Sequence, residues 1–322
     1  DDQAPAVADF TYTAGSDVSI KVSTSATDPT QLTVTGDGTG TNSFAIPTAS
    51  LTILGPGDYS AITLNSMTLP GVDLTVQSGS TGVNLEPLVA DITNAITVSS
   101  GSDIDTVGSG NTGGDITFEA AKIEVQADAN IVAYKGDVAG DITLHASNLR
   151  EATGFIIDEL TSNVLARNAS ISIDKAVLLG GNIDIHAEAG DRSLDNTVTD
   201  YAQGAPEGVL KILEDIQSMI GIPVSVLYKK SAADIDISNS TIAGRTGDVS
   251  VDANSESDGT GTATFFRAPN NSPGGFAFVY VQTDASATVT VDTTSTINAG
   301  DDITVTTEAT AAASGTGRVS QN

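Results

Sequence analysis

The chain of 322 residues contains no cysteine and no tryptophan, and only two methionines and two histidines. Without cysteine there is no disulfide framework, no zinc–thiolate centre and no thiol nucleophile. Aromatic residues amount to 4% of the sequence, against 39% hydrophobic residues in all. A single thick core of this size ordinarily uses more large rings. An apolar content made mostly of Val, Ile, Leu and Ala suits many thin, similar layers instead. Basic residues are scarce too: 13 against 41 acidic ones, for a net charge of −28. Nothing is available to neutralise phosphates, so nucleic acid is excluded as a partner, and anionic membrane surfaces would repel the chain. No run approaches the ~20 apolar residues of a membrane span. No signal peptide is legible, and the first residue is Asp1 rather than Met.

What fills the sequence is strand-and-turn chemistry: Thr, Ser, Gly, Asp and Asn beside β-branched apolar residues. The acidity fits solubility in a salty exterior. Binding of divalent cations is the second reading of it. Ten of the thirteen basic residues lie between Lys122 and Arg245, which marks the middle of the chain as a distinct stretch.

Strict alternation recurs throughout. It is seen in Val18-Ser19-Ile20-Lys21-Val22, Leu74-Thr75-Val76, Ile171-Ser172-Ile173, Ile235-Asp236-Ile237 and Val289-Thr290-Val291. Each run reads as a short strand with one buried face. A turn residue followed by Asp or Asn and a strand forms a repeated phrase: Gly114-Asp115-Ile116, Gly140-Asp141-Ile142, Gly181-Asn182-Ile183, Gly247-Asp248-Val249 and Asp301-Asp302-Ile303. Here Gly is expected to supply left-handed backbone at a corner, and Asp or Asn to bond its own backbone. Asp115 and Asp141 are 26 positions apart, and Asp248 and Asp302 are 54 apart, read as two steps of 27. Such regularity predicts a solenoid coil of about this length. Ile235 to Val289, Val249 to Ile303 and Gly261 to Gly315 repeat at the same 54, and Asn168 to Ala187 carries a shorter copy.

The run from Ala287 to Val291, continued through Thr296-Ile297-Asn298-Ala299-Gly300-Asp301-Asp302-Ile303-Thr304-Val305, resembles the β-strand repeats of giant bacterial surface proteins. These include filamentous-haemagglutinin-like adhesins and long multi-repeat exoproteins. The resemblance runs from about Gly113 to the C-terminus and implies secretion and a parallel β-helix. The expected fold is therefore all-β: a parallel β-solenoid with one short helical insertion. Residues 1–112 form a β-rich N-terminal region, solenoid-like or a sandwich, and residues 113–322 the solenoid repeats. The helix is predicted over 206–221, with Pro206 in its first turn, Gly221 at its C-terminal cap and a stripe of Val209, Leu213, Ile216 and Ile220. Similar inserts belong to the proteins that the repeats resemble.

Chemistry-bearing constellations are thin. Counted from Asp141 and Asn182, His145 and His186 both fall four residues on, so they are expected to stack on neighbouring coils. Two stacked imidazoles could bind a metal. The more ordinary reading is a surface ladder, or buried histidines that are hydrogen-bonded. Paired acids at Asp234/Asp236, Asp103/Asp105 and Asp301/Asp302 resemble glycosidase or lyase pairs in spacing. The basic and aromatic sugar contacts of such enzymes are scarce here, so the pairs read as solvated turns. Neither the nonapeptide nor the EF-hand calcium pattern is present, and calcium at the acidic turns has no motif behind it. No nucleophile elbow, P-loop or dinucleotide fingerprint occurs.

No catalytic, cofactor-binding or metal-ligating residue is therefore assigned. The expected function is non-catalytic: an extracellular rod or filament segment of a large bacterial surface protein, assembling through its β-edges. Its partners would be neighbouring copies or further repeats of the same protein. The alternative is an adhesin module that binds a polysaccharide or cell surface. Phe265, Phe266, Phe276, Phe278 and Tyr280 cluster around Pro269–Gly275. Exposed, they favour adhesion or a subunit contact; buried, they favour the rod. The chain is also expected not to stand alone, because its last strands carry no polar, atypical cap.

Overall fold

The structure is a computed structural model. It describes residues 5–11, 18–36, 40–55, 60–79, 94–108, 113–136, 138–151, 165–192, 195–197, 224–267 and 278–321. Among these residues every regular element is a strand. The helix predicted over 206–221 lies outside them.

The chain opens with β1 (Val7–Thr11), β2 (Val18–Thr24), β3 (Gln31–Gly36) and β4 (Gly40–Ala45). Then come β5 (Ser50–Gly55), β6 (Ser60–Leu64) and β7 (Met67–Thr68), followed by β8 (Asp73–Ser78), β9 (Ala95–Val98) and β10 (Asp103–Asp105). The next set is β11 (Ile116–Ala120), β12 (Lys122–Val125) and β13 (Asn130–Val132), with a small hairpin of β14 (Tyr134–Lys135) and β15 (Val138–Ala139). After it come β16 (Ile142–Glu151), β17 (Leu165–Asp174) and β18 (Val177–Gly180). β19 (Ile183–Arg192) and the short β20 (Asp195–Thr197) precede β21 (Val224–Ser238) and β22 (Thr241–Gly244). The chain closes with β23 (Val249–Arg267), β24 (Phe278–Val291), β25 (Thr296–Ala299) and β26 (Ile303–Gln321).

From β5 onward, successive strands enter three sheets in rotation. The first sheet runs β1-β5-β8-β11-β16-β19-β23, with β20 and β26 both paired to β23. The second runs β24-β21-β17-β12-β9-β6-β2-β3-β4, and the third β25-β22-β18-β13-β10-β7. Pairing is parallel except between β2 and β3, between β3 and β4, and in the β14–β15 hairpin. Strands on the two sides of position 112 share all three sheets: β8 pairs with β11, β9 with β12 and β10 with β13.

Alternation in sequence becomes ladders of identical or similar side chains across the sheets. Leu51, Leu74, Ile116, Ile142, Ile183, Val249 and Ile303 are successive register partners in the first sheet. In the second, Ile20, Ile62, Ile96, Ile123, Ile171, Ile235 and Val289 align in the same way. In the third, Met67, Ile104, Ile131, Leu178, Ile242 and Ile297 do so. The buried members from all three sheets belong to one hydrophobic cluster. Each added round contributes only a few aliphatic side chains to it. This is why the chain can build its core with one fully buried phenylalanine, Phe118, among the described residues.

The repeated Gly-Asp phrase occupies the junction between the third sheet and the first, and it works differently from the sequence expectation. The carboxylate or amide oxygen does not turn back on its own backbone. Asp73 accepts the backbone N–H of Asp115, Asp115 that of Asp141, and Asp141 that of Asn182. Asn182 accepts the N–H of Asp248, and Asp248 that of Asp302. Each round thus satisfies a backbone donor of the next. The glycines before these residues are not left-handed. Among the described residues, positive φ in glycine occurs at Gly40, Gly71, Gly79, Gly101 and Gly136. Gly114 and Gly140 are required by close approach instead: a Cβ there would lie 2.0 Å from the Val72 carbonyl oxygen and 2.3 Å from the Gly114 carbonyl oxygen.

The spacing of 54 is a further correction. Asp248 and Asp302 are direct neighbours and β23 pairs with β26, so 54 residues make one round, not two. The excess over the 26 residues from Asp115 to Asp141 flanks one corner, part of it in longer strands: β23 and β24 have 19 and 14 residues where β11 and β12 have 5 and 4. The stretches 56–59, 80–93, 152–164, 198–223 and 268–277 all lie between a first-sheet strand and the next second-sheet strand.

Candidate functional site

Each corner Asp or Asn of the third-to-first junction starts a strand, so the fourth residue after it takes a fixed place on the outer, half-buried face of the first sheet. These residues are Gln77, Glu119, His145, His186, Asp252 and Thr306, register partners in that order. The two histidines expected on neighbouring coils are thus adjacent on β16 and β19. Their ring centroids are 5.0 Å apart and the planes are tilted by 51°, so the rings meet at an angle rather than stacking flat.

The two imidazoles have different surroundings. His186 Nδ1 lies 3.0 Å from Asp252 Oδ2, and Thr306 Oγ1 donates to the other oxygen of Asp252. A neutral His186 held in this way carries its proton on Nδ1 and leaves an Nε2 lone pair. That Nε2 is 4.0 Å from Glu188 Oε2. Glu188 follows His186 by two residues on the same strand and so shares its face. His145 Nε2 is buried and has no hydrogen-bond partner. Burial, reinforced by the neighbouring His186, holds His145 below its ordinary value, while Glu119, Glu188 and Asp184 push it the other way. Burial wins, which favours the neutral ring.

One ligand atom each from His145, His186 and Glu188 lie within 4.8 Å of one another. Two nitrogens and one carboxylate oxygen at this separation are a donor set for a borderline transition ion. The histidine positions were legible by counting from the corners. Glu188 and Asp252 were missed, although the signal was there. Glu188 sits at period two from His186, and Asp252 is the fourth residue after Asp248, just as the histidines are after Asp141 and Asn182.

The paired acids are not brought together as a catalytic dyad. Asp234 and Asp236 are exposed on β21, in register with Ser170 and Ser172 on one side and Thr288 and Thr290 on the other. Asp103 accepts from Asn130 Nδ2 at 2.7 Å, and Asp105 accepts from the Val107 N–H at 2.8 Å. Asp302 belongs to the corner ladder. Of the aromatic cluster, Tyr280 is exposed and its hydroxyl donates to Gln282 Oε1 at 2.6 Å. Phe276 and the side chains of Phe265, Phe266 and Phe278 lie outside the described residues.

Where β19, β21, β23 and β24 run on past the apolar ladders, the first and second sheets face each other through buried polar residues, among them Ser231, Ser255 and Lys229. Ser231 and Ser255 share a hydrogen bond of 2.7 Å, and Lys229 Nζ donates to the Asp258 carbonyl oxygen at 2.5 Å. Among the described residues, no helix is long and apolar enough to cross a membrane. Comparison with protein-family models, with curated proteins and with solved structures finds no match for the chain.

Proposed function

We propose that the chain is a parallel β-solenoid segment, with a helical insertion at 206–221, that serves as a non-catalytic structural rod outside the bacterial cell. In this reading it belongs to a large surface protein or filament. The rod extends by adding further parallel strands of its own kind at the β24–β25–β26 end. Rotation through three sheets from β5 onward, interrupted by the β14–β15 hairpin and by β20, supports the solenoid.

The observation that carries the assembly is a break in the apolar ladders. Val249 and Val251 are fully buried, whereas their register partners Ile303 and Val305 on β26 are 50% and 49% exposed. Val291 on β24 is exposed as well. Positions that are core from β5 to β23 are surface here, beside unpaired strand N–H and C=O groups that invite another strand. The opposite end of the second sheet differs. It finishes in the antiparallel β4, whose residues are all exposed, the kind of atypical element that blunts an edge.

Sedimentation velocity over a concentration series tests the reading, with wild type run beside the I303K/V305K double variant. Wild type is expected to form concentration-dependent elongated assemblies, and the variant to remain monomeric. A monomer that persists at high concentration, from a gene ending at Asn322, overturns the proposal.

The adhesin reading has one observation of its own. The longest intervals between consecutive strands fall between a first-sheet strand and the next second-sheet strand, and in repeat proteins insertions gathered on one side often form the binding surface. Retention on an immobilised polysaccharide that is lost in Tyr280→Ala would favour it.

A further inference from the structure

We propose that His145, His186 and Glu188 form a binding site for a single Zn2+-class transition-metal ion on the outer face of the first sheet, with Asp252 as the residue that positions His186. Three features of one half-buried spot combine. The donor atoms converge: two imidazoles from adjacent strands and a carboxylate from the same face lie within 4.8 Å of one another. An ion with bonds of about 2.0–2.1 Å to each holds its ligand atoms somewhat over 3 Å apart. The 4.0 Å between His186 Nε2 and Glu188 Oε2 is too long for a hydrogen bond and closes by small side-chain rotations.

The second feature is an orphan. His145 Nε2 is buried without a hydrogen-bond partner, and a polar atom left in that state is destabilising. Coordination through this nitrogen would give it the partner it lacks. The ordinary alternative, a hydrogen-bonded histidine pair, does not describe this ring nitrogen.

The third feature is the support behind the donors. Metal-bound histidines almost always donate their other ring N–H to a carboxylate or carbonyl, which fixes the tautomer and raises the basicity of the ligating nitrogen. Asp252 does this for His186 at 3.0 Å and is itself held by Thr306. The support comes from two further strands, β23 and β26, so the whole arrangement spans four neighbouring strands of one sheet.

Two nitrogens and one oxygen select against Ca2+ and Mg2+, which take all-oxygen shells. Imidazole suits Zn2+, Ni2+ and Cu2+, and a set of two histidines and one glutamate is a known zinc set that leaves a coordination position open. The three ligands stand on β16 and β19, inside the sheet, so the rod reading neither requires the site nor depends on it.

The test uses the full chain, stripped with a chelator and titrated with Co2+ as a spectroscopic reporter and then with Zn2+. The expected result is one Co2+ per chain with visible d–d bands, displaced stoichiometrically by Zn2+ and not by Ca2+ or Mg2+. H145Q and H186Q are expected to abolish the bands while keeping the strand-type circular dichroism of wild type. D252N, which retains every ligand, is expected to weaken Zn2+ affinity roughly 10–100-fold. Absence of Co2+ bands in the folded wild type overturns the proposal. So does binding that persists in both H145Q and H186Q, which would place the ion on acidic residues elsewhere. If a histidine variant fails to fold, D252N decides: an unchanged affinity also overturns the assignment.

Discussion

A methyl group added to Gly114 would sit 2.0 Å from the carbonyl oxygen of Val72, which is backbone and has nowhere to go. Gly114→Ala is therefore expected to lower stability by about 1–3 kcal/mol or more, as overpacking does. Urea unfolding checks this, and a variant as stable as wild type would show that the corner has slack. Asp292 sets a different requirement at the junction between β24 and β25. Its carboxylate accepts from the Thr294 and Ser295 N–H groups and both hydroxyls, and from the N–H of Asn239 on the previous round. The Ser295 and Thr294 hydroxyls, with smaller help from the backbone donors, hold it at about 2, below its ordinary 3.8. A folded pKa that is depressed gives stabilisation that is complete above the unfolded value and lost as pH falls through the folded one. The stability advantage of wild type over Asp292→Ala should thus be full at neutral pH, shrink below 3.8 and vanish near about 2. Melting curves of both proteins across that range check the sign, and a constant difference would refute it.

The junctions between the second and third sheets show at the level of elements what a single sequence conveys and what it hides. Gly101, Asp128, Lys175 and Asn239 occupy this junction in successive rounds with φ of 68, 63, 48 and 51 degrees. Gly and Asn announce such a corner, and Asp tolerates it, but Lys175 does not look like a turn residue. The neighbours impose the conformation: Asp128 N–H donates to the Lys175 carbonyl, and Lys175 N–H donates to that of Ser238. Left-handed backbone costs an ordinary L-residue about 1–2 kcal/mol, partly offset by the greater unfolded freedom of glycine. The exposed approach of Lys175 to Asp174 at 3.9 Å contributes little. Lys175→Gly is therefore expected to stabilise the protein by roughly 0.5–1 kcal/mol, read as a higher urea midpoint at unchanged slope. A lower midpoint would mean that the lysine does something not visible in its geometry. The strands themselves were legible, because alternation names the buried face, but the direct pairing of Ile235 with Val289 was not, because a separation of 54 reads as two coils. The role of the corner glycines was not. Close approach and left-handed backbone both select glycine, and only coordinates tell them apart.

At the scale of the molecule, the period was the hardest thing to read. The corner-to-corner steps are 42, 26, 41, 66 and 54 residues, so a search at one fixed spacing recovers few of them and misreads the last. The fourth-residue row containing His145 and His186 survives this irregularity, because it is counted from each corner and not from a period. The added lengths flank the corner that leaves the first sheet, in longer paired strands as well as in the intervals between them. Lengthening a loop costs slowly, about 0.6 kcal/mol per doubling, while the corner hydrogen bonds and apolar ladders on either side set the register afresh in every round. The molecule accordingly separates an address from a payload. The corners specify where along the sheet a segment stands, and the lengths between Ser78 and Ala95, or between Arg267 and Phe278, are slots whose size changes from round to round while the grammar that positions them stays the same.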